Sequence, residues 1–237
     1  MKSYNETTGA FIANFTSAGG IGSAVSLVFG PDGNLYVGTF ALRVNRYDGK
    51  MGTFIDIFAS GMDEALGVVF GPDGNLYVSS ASSDQVKRYN GATGAFIDSF
   101  ASGAGLDVPR GVAFGSDGNL YVSSFLTDQV KRFNGTTGAF IDNFASGAGL
   151  DGPDGLVFGP DGNLYVSSFL TDQVKRFNGT TGAFIDNFAS GGGLDGPSGL
   201  VFTPRAVPAS ASLVLLGLGL LAVAGYSRSR RTPGRSF

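Results

Sequence analysis

Residues 155–198 read GLVFGPDGNLYVSSFLTDQVKRFNGTTGAFIDNFASGGGLDGPS. The 44 residues before them, 111–154, repeat that text with five differences: Val112/Leu156, Ala113/Val157, Ser116/Pro160, Ala148/Gly192 and Asp154/Ser198. Within the unit lie four short apolar runs, Leu156 to Phe158, Leu164 to Val166, Gln173 to Phe177 and Ala183 to Phe188. Each is rich in Val, Ile, Phe and Tyr and bounded by Gly, Asn, Asp or Pro, the pattern of a strand. Pro160-Asp161-Gly162-Asn163 is a hairpin signal, because Asp-Gly accepts the positive φ of a tight turn. No helical spacing persists for two turns.

Four strands in about 44 residues, repeated, predict an all-β fold, a β-propeller of four-stranded blades. One blade cannot bury both of its faces, so its neighbours must. Gly-Asn-Leu-Tyr-Val followed by Asp-Gln-Val-Lys-Arg-Phe resembles the NHL and SMP-30-like propeller repeats over residues 1–204. Such repeats often carry an acid just after the Tyr-Val, where this chain has Ser79, Ser123 and Ser167. A ligand site built on that acid is therefore not expected.

Complete blades are expected at about 26–66, 67–110, 111–154 and 155–198, the first shortened to 41 residues. The two ends supply parts of a fifth: residues 3–15 align with the end of a third strand and a fourth, and 199–204 with a first strand. Joined, they would form a split blade lacking its second strand. Met1-Lys2-Ser3-Tyr4 opens no apolar leader, and with the start in mid-blade this suggests further sequence upstream.

The chain has no Cys and no His, which removes disulfides, thiolate chemistry, the commonest general base and imidazole metal ligands. Net charge is −3 overall, but −8 before residue 204 and +5 in the tail. An acidic propeller argues against nucleic acid as a partner.

After a linker at 205–208, residues 209–226 are 18 uncharged residues, about 27 Å as a helix at ~1.5 Å per residue, enough to span a membrane. Arg228, Arg230 and Arg231 follow, in a basic tail at 227–237 that predicts a cytoplasmic end and an outward propeller. Val207 and Pro208, the apolar segment and the Arg cluster resemble a PEP-CTERM sorting signal of Gram-negative envelopes, with Ala209-Ser210 in place of Glu-Pro. That resemblance implies an exosortase-type protease as a partner and a membrane-anchored or surface-released product.

In an up-and-down blade, the 2–3 and 4–1 loops share one face. There Phe125, Leu126, Asp128, Phe169, Leu170 and Asp172 recur as an apolar and acidic rim, a candidate surface for envelope polysaccharide or protein. The alternative is that Phe and Leu pack between blades and Asp caps its turn. Lys131-Arg132 and Lys175-Arg176 read as solvated pairs, and Asp186, between Phe184 and Phe188, as a guard against edge pairing. The Asp-Gly-Asn turns lack the closing Glu of a calcium loop, so neither metal nor cofactor is expected. With no His and no acid singled out near an axis, the expected function is a non-enzymatic binding or display scaffold. A hydrolase or lyase of the SMP-30/lactonase kind, or a copy-number-variable spacer, is the alternative.

Overall fold

The computed structural model describes residues 1–4, 10–16, 23–202 and 213–214. A short hairpin, β1 (Lys2–Tyr4) and β2 (Phe11–Asn14), precedes four antiparallel four-stranded blades. Blade 1 is β3 (Ala24–Phe29), β4 (Leu35–Thr39), β5 (Arg43–Tyr47) and β6 (Phe54–Ser60). Blade 2 is β7 (Ala65–Phe70), β8 (Leu76–Ser80), β9 (Gln85–Tyr89) and β10 (Phe96–Ser102). Blade 3 is β11 (Pro109–Phe114), β12 (Leu120–Ser124), β13 (Gln129–Phe133) and β14 (Phe140–Ser146). Blade 4 is β15 (Pro153–Phe158), β16 (Leu164–Ser168), β17 (Gln173–Phe177) and β18 (Phe184–Ser190), followed by the two-residue strands β19 (Val201–Phe202) and β20 (Leu213–Val214). Strands pair in chain order within every blade. First strands pack on first strands, β3 on β7, β7 on β11 and β11 on β15, so they are innermost and the fourth strands outermost.

The second strand shows why the repeat folds this way. All five residues of β4, β8, β12 and β16 are buried, because neighbouring blades cover both faces. The tyrosine of each sits edge-on between a Phe of its own outer strand and a Phe of the next inner strand. Tyr121 meets Phe144 at 4.8 Å and Phe158 at 4.9 Å, and Tyr36, Tyr77 and Tyr165 make the same pair of contacts. The hydroxyl finds a partner too: Tyr165 donates to Asp161 at 2.9 Å, and that carboxylate also accepts from the backbone N–H and side chain of Asn163. Burial pushes Asp73, Asp117 and Asp161 up, but these donors outweigh it and hold each carboxyl below its usual range. The Asp-Gly-Asn turn is thus a self-satisfied hairpin that anchors the inter-blade tyrosine.

The serines that follow Tyr-Val in blades 2, 3 and 4 clip one blade to the next. Ser123 Oγ accepts from Gly111 N (2.7 Å) and donates to Asp154 O (2.6 Å) across the blade boundary. Ser79 and Ser167 do the same toward Arg110 O and Ser198 O. Glycine is required opposite: a Cβ on Gly155 would overlap the backbone carbonyl of Ser198, and one on Gly67 that of Arg110.

Several expectations change. At the two ends, among the described residues, β1–β2 and β19–β20 are two-stranded sheets. Met1 and Phe15 pack against blade 1, and the Phe202 ring against Tyr165 of blade 4. Lys131 and Lys175 are not solvated but buried, each ammonium held by a Gln and an Asn side chain, and burial lowers their pKa. Asp186 is not a lone edge guard either, since Arg176 binds both of its oxygens. Among the described residues no helix is long and apolar enough to cross a membrane. The expected span at 209–226 lies outside them except for Leu213–Val214, which is a strand paired with β19. Val207, Pro208, Arg228, Arg230 and Arg231 also lie outside the described residues.

Candidate active site at the inner strands

Four residues before the inner-strand Phe29, Phe70, Phe114, Phe158 and Phe202 stand Val25, Leu66, Arg110, Asp154 and Ser198. Every repeat has a different residue here, and all five are partly exposed. Inner-strand register explains the exposure. In β11, Pro109 faces Ser124 and Val112 faces Val122, so one extra residue is accommodated at Arg110-Gly111; β7 and β15 bulge at the same place. A bulge re-aims the side chain it carries. The clipping serine faces the bulge, and it holds the N–H of the bulge glycine.

At this position blades 3 and 4 carry opposite charges. Arg110 Nη1 donates to Asp154 Oδ2 at 2.6 Å. The guanidinium lies 3.6 Å from the Phe125 ring centroid and 5.8 Å from that of Phe169, and the two rings are 6.1 Å apart, edge to face. Arg110 Nε is buried and has no partner among the described residues. Burial pushes the Asp154 carboxyl above the usual aspartate range, and the charge and hydrogen bond of Arg110 only partly offset it. A desolvated acid beside one specific cation, at the end of the inner strands, is the kind of group that moves protons.

The expected rim divides. Phe125 and Phe169 belong to this site, placed there by the short 3-10 turns Phe125–Thr127 and Phe169–Thr171 that follow the second strands. Leu126 and Leu170 are 46% and 52% exposed and touch neither charge. Asp128 and Asp172 each occupy a left-handed position (φ 57° and 55°) and accept from the next connection, at Gly152 N and Gly196 N, both 2.9 Å. They cap their neighbour's loop rather than their own turn. Arg110 and Asp154 were not singled out in the sequence. Their signal was there: Asp154/Ser198 is one of the five differences between adjacent copies, and extending the alignment to Leu66 and Val25 exposes a column with no two residues alike.

No family model and no curated protein matches the chain. Solved structures do. Selenomethionine-substituted virginiamycin B lyase from Staphylococcus aureus superposes with a TM-score of 0.60 at 14% identity, over 75% of this chain and 59% of that one. A catalytically inactive histidine-to-alanine variant of the same enzyme with quinupristin gives 0.62 at 16%, over 82% and 64%. A streptogramin B lyase gives 0.62 at 16%, over 82% and 63%. The chain thus spans about six-tenths of the length of these structures, and what it shares with them is the fold. Among the described residues it is a β-propeller of four four-stranded blades, similar in fold to these propeller lyases. No match identifies it as an NHL, SMP-30 or PEP-CTERM protein.

The expectation of a non-enzymatic scaffold is corrected on two findings. Solved structures that share this fold include lyases, one of them a variant made catalytically inactive. And the blades do single out an acid on the first strands, because Asp154 stands where the other copies have Val, Leu, Arg and Ser.

Proposed function

We propose that this chain works as a propeller lyase, cleaving a bond by elimination where Arg110, Asp154, Phe125 and Phe169 meet. The observation that carries this reading is the Arg110–Asp154 pair, chemically singular at the innermost strands of an otherwise copied array. The shared fold supports it. Loss of a histidine inactivates the S. aureus variant, whereas this chain has no histidine, so its proton transfer has to use another group.

Quinupristin, the molecule held by that variant, is the first substrate to try. Purified full-length chain is incubated with it and followed by chromatography and mass spectrometry. Elimination at a ring ester yields an opened isomer of unchanged mass, separable by chromatography; a hydrolase of the lactonase kind would add one water. Failure to consume quinupristin overturns the lyase reading. As part of the same proposal the propeller faces outward from a membrane, on the strength of the 18 uncharged residues at 209–226 and the arginines after them. Recovery of the full chain in a salt-washed soluble fraction would contradict that placement.

A further inference from the structure

We infer that Asp154 is the proton acceptor of this site, and that Arg110 is its positioning partner. The inference rests on the lyase reading for its chemistry, but on the geometry of this carboxylate for its choice of residue.

The other paired carboxylates of the blades are saturated. Asp142 gives one oxygen to Arg132 Nε (3.2 Å) and the other to Nη2 (2.5 Å), and Asp161 spends both on Asn163 and Tyr165. Asp154 differs. Its Oδ2 takes the single bond from Arg110, and among the described residues no hydrogen bond reaches Oδ1. The side chain is 17% exposed, so it is desolvated without being sealed. Arg110 is the charged side chain that acts on it, from β11; Ser198, at the same position of the following repeat, adds no charge.

Arg110 also departs from the structural arginines. Those use Nε and Nη2 together on one carboxylate, while Arg110 uses Nη1 alone and leaves Nε buried without a partner. A brace selected for stability would close both bonds. This geometry instead holds Oδ2, with the guanidinium itself held by stacking on Phe125. Oδ1 is left with a lone pair to use. In the step assigned to it, Oδ1 takes the proton from a substrate carbon next to a carbonyl. The C–H electron pair becomes the new double bond, and the bond to the leaving oxygen breaks. That oxygen departs with its electron pair and is protonated by solvent, so no further reactant is needed. Burial supports the assignment, since a base works best with a pKa nearer to neutral than an ordinary aspartate has.

The repeat supplies its own controls, because the same backbone position already accepts Leu66 and Ser198. The experiment compares the full chain with Asp154→Ser, Asp154→Glu, Arg110→Leu and the exchanged pair R110D/D154R, on quinupristin. Melting temperature is read alongside kcat and KM. Asp154→Ser should lower kcat by about 100-fold or more with KM little changed, and should melt lower because it leaves the partly buried Arg110 without its partner. Asp154→Glu should recover part of that loss. The exchanged pair should melt like the parent yet turn over like Asp154→Ser, since the ion pair survives while the carboxylate moves to β11. In the parent, kcat should fall as pH drops through a midpoint above the usual aspartate range. Parental kcat in Asp154→Ser overturns the assignment and leaves the lyase reading standing. The assignment is also tested without turnover, by carbon NMR titration of Asp154. A carboxyl titrating at or below ordinary aspartate overturns it even if quinupristin is consumed, and one titrating above supports it even if quinupristin is left intact.

Discussion

Two sets of hydrogen-bonded Arg–Asp pairs run through this propeller, and they differ in nearly every respect. Between the third and fourth strands lies a ladder repeated in all four blades: Arg46–Asp56, Arg88–Asp98, Arg132–Asp142 and Arg176–Asp186. Each arginine is bidentate, lies near a Phe ring of its own blade, and has its pKa raised first by the hydrogen bond it donates to its aspartate. At the inner strands there is a single pair, Arg110–Asp154. It is monodentate, joins two different blades, and burial pushes its carboxyl up. Copying preserves what every blade needs to stand; the ladder has that signature. A residue that differs in every copy while its backbone stays put is free of that demand and available for chemistry.

The comparison breaks first if the backbone at the inner position is not in fact constrained. Gly155→Ala places a Cβ on the carbonyl of Ser198, an overlap relieved only by parting two strands that Ser167 clips together. A loss of about 4 kcal/mol or more is expected in urea unfolding. Ser123→Ala should cost about 2–3 kcal/mol by the same measurement, because it strands the N–H of Gly111 and the carbonyl of Asp154 together. In the ladder, Asp142→Ser should cost only about 1 kcal/mol, and less in high salt, since the aspartate side chain is 42% exposed.

The smallest effect has the opposite sign. R110L/D154S gives blades 3 and 4 the residues of Leu66 and Ser198 and should stabilise the fold by about 0.5–1 kcal/mol at pH 8. The folded chain favours protonated Asp154 more than the unfolded chain does. Parent stability therefore falls as pH rises from the ordinary aspartate pKa through the raised one, and the double variant lacks that fall. Its advantage should open over that window and close below it. A constant difference from pH 3 to pH 8 would show that burial does not raise this carboxyl.

The blades were legible because periodicity survives without knowledge of neighbours: Leu-Tyr-Val, Asp-Gly-Asn and Phe-Ile-Asp each recur at one spacing. What neighbours decide was not legible. Lys131 lies on a strand whose covering loop comes from elsewhere in the chain, so its burial follows from packing rather than from local pattern. Asp186 pairs with a residue ten positions earlier, through a register that no alternation reveals. The site was half legible. Phe125 and Phe169 stood out by recurrence, whereas Arg110 and Asp154 lie 44 residues apart and meet only because inner strands pack side by side. A search for recurring residues passes over the one position that never recurs.

The central claim is that the repeated pairs hold the fold and the singular pair does the chemistry. Turnover of quinupristin and melting temperature, measured together on Asp142→Ser and R110L/D154S, test it most directly. The account predicts that Asp142→Ser melts lower and keeps parental kcat, while R110L/D154S melts at or slightly above the parent and loses about 100-fold or more in kcat. Equal turnover in the two variants, or a fall in melting temperature for R110L/D154S as large as that for Asp142→Ser, would contradict it.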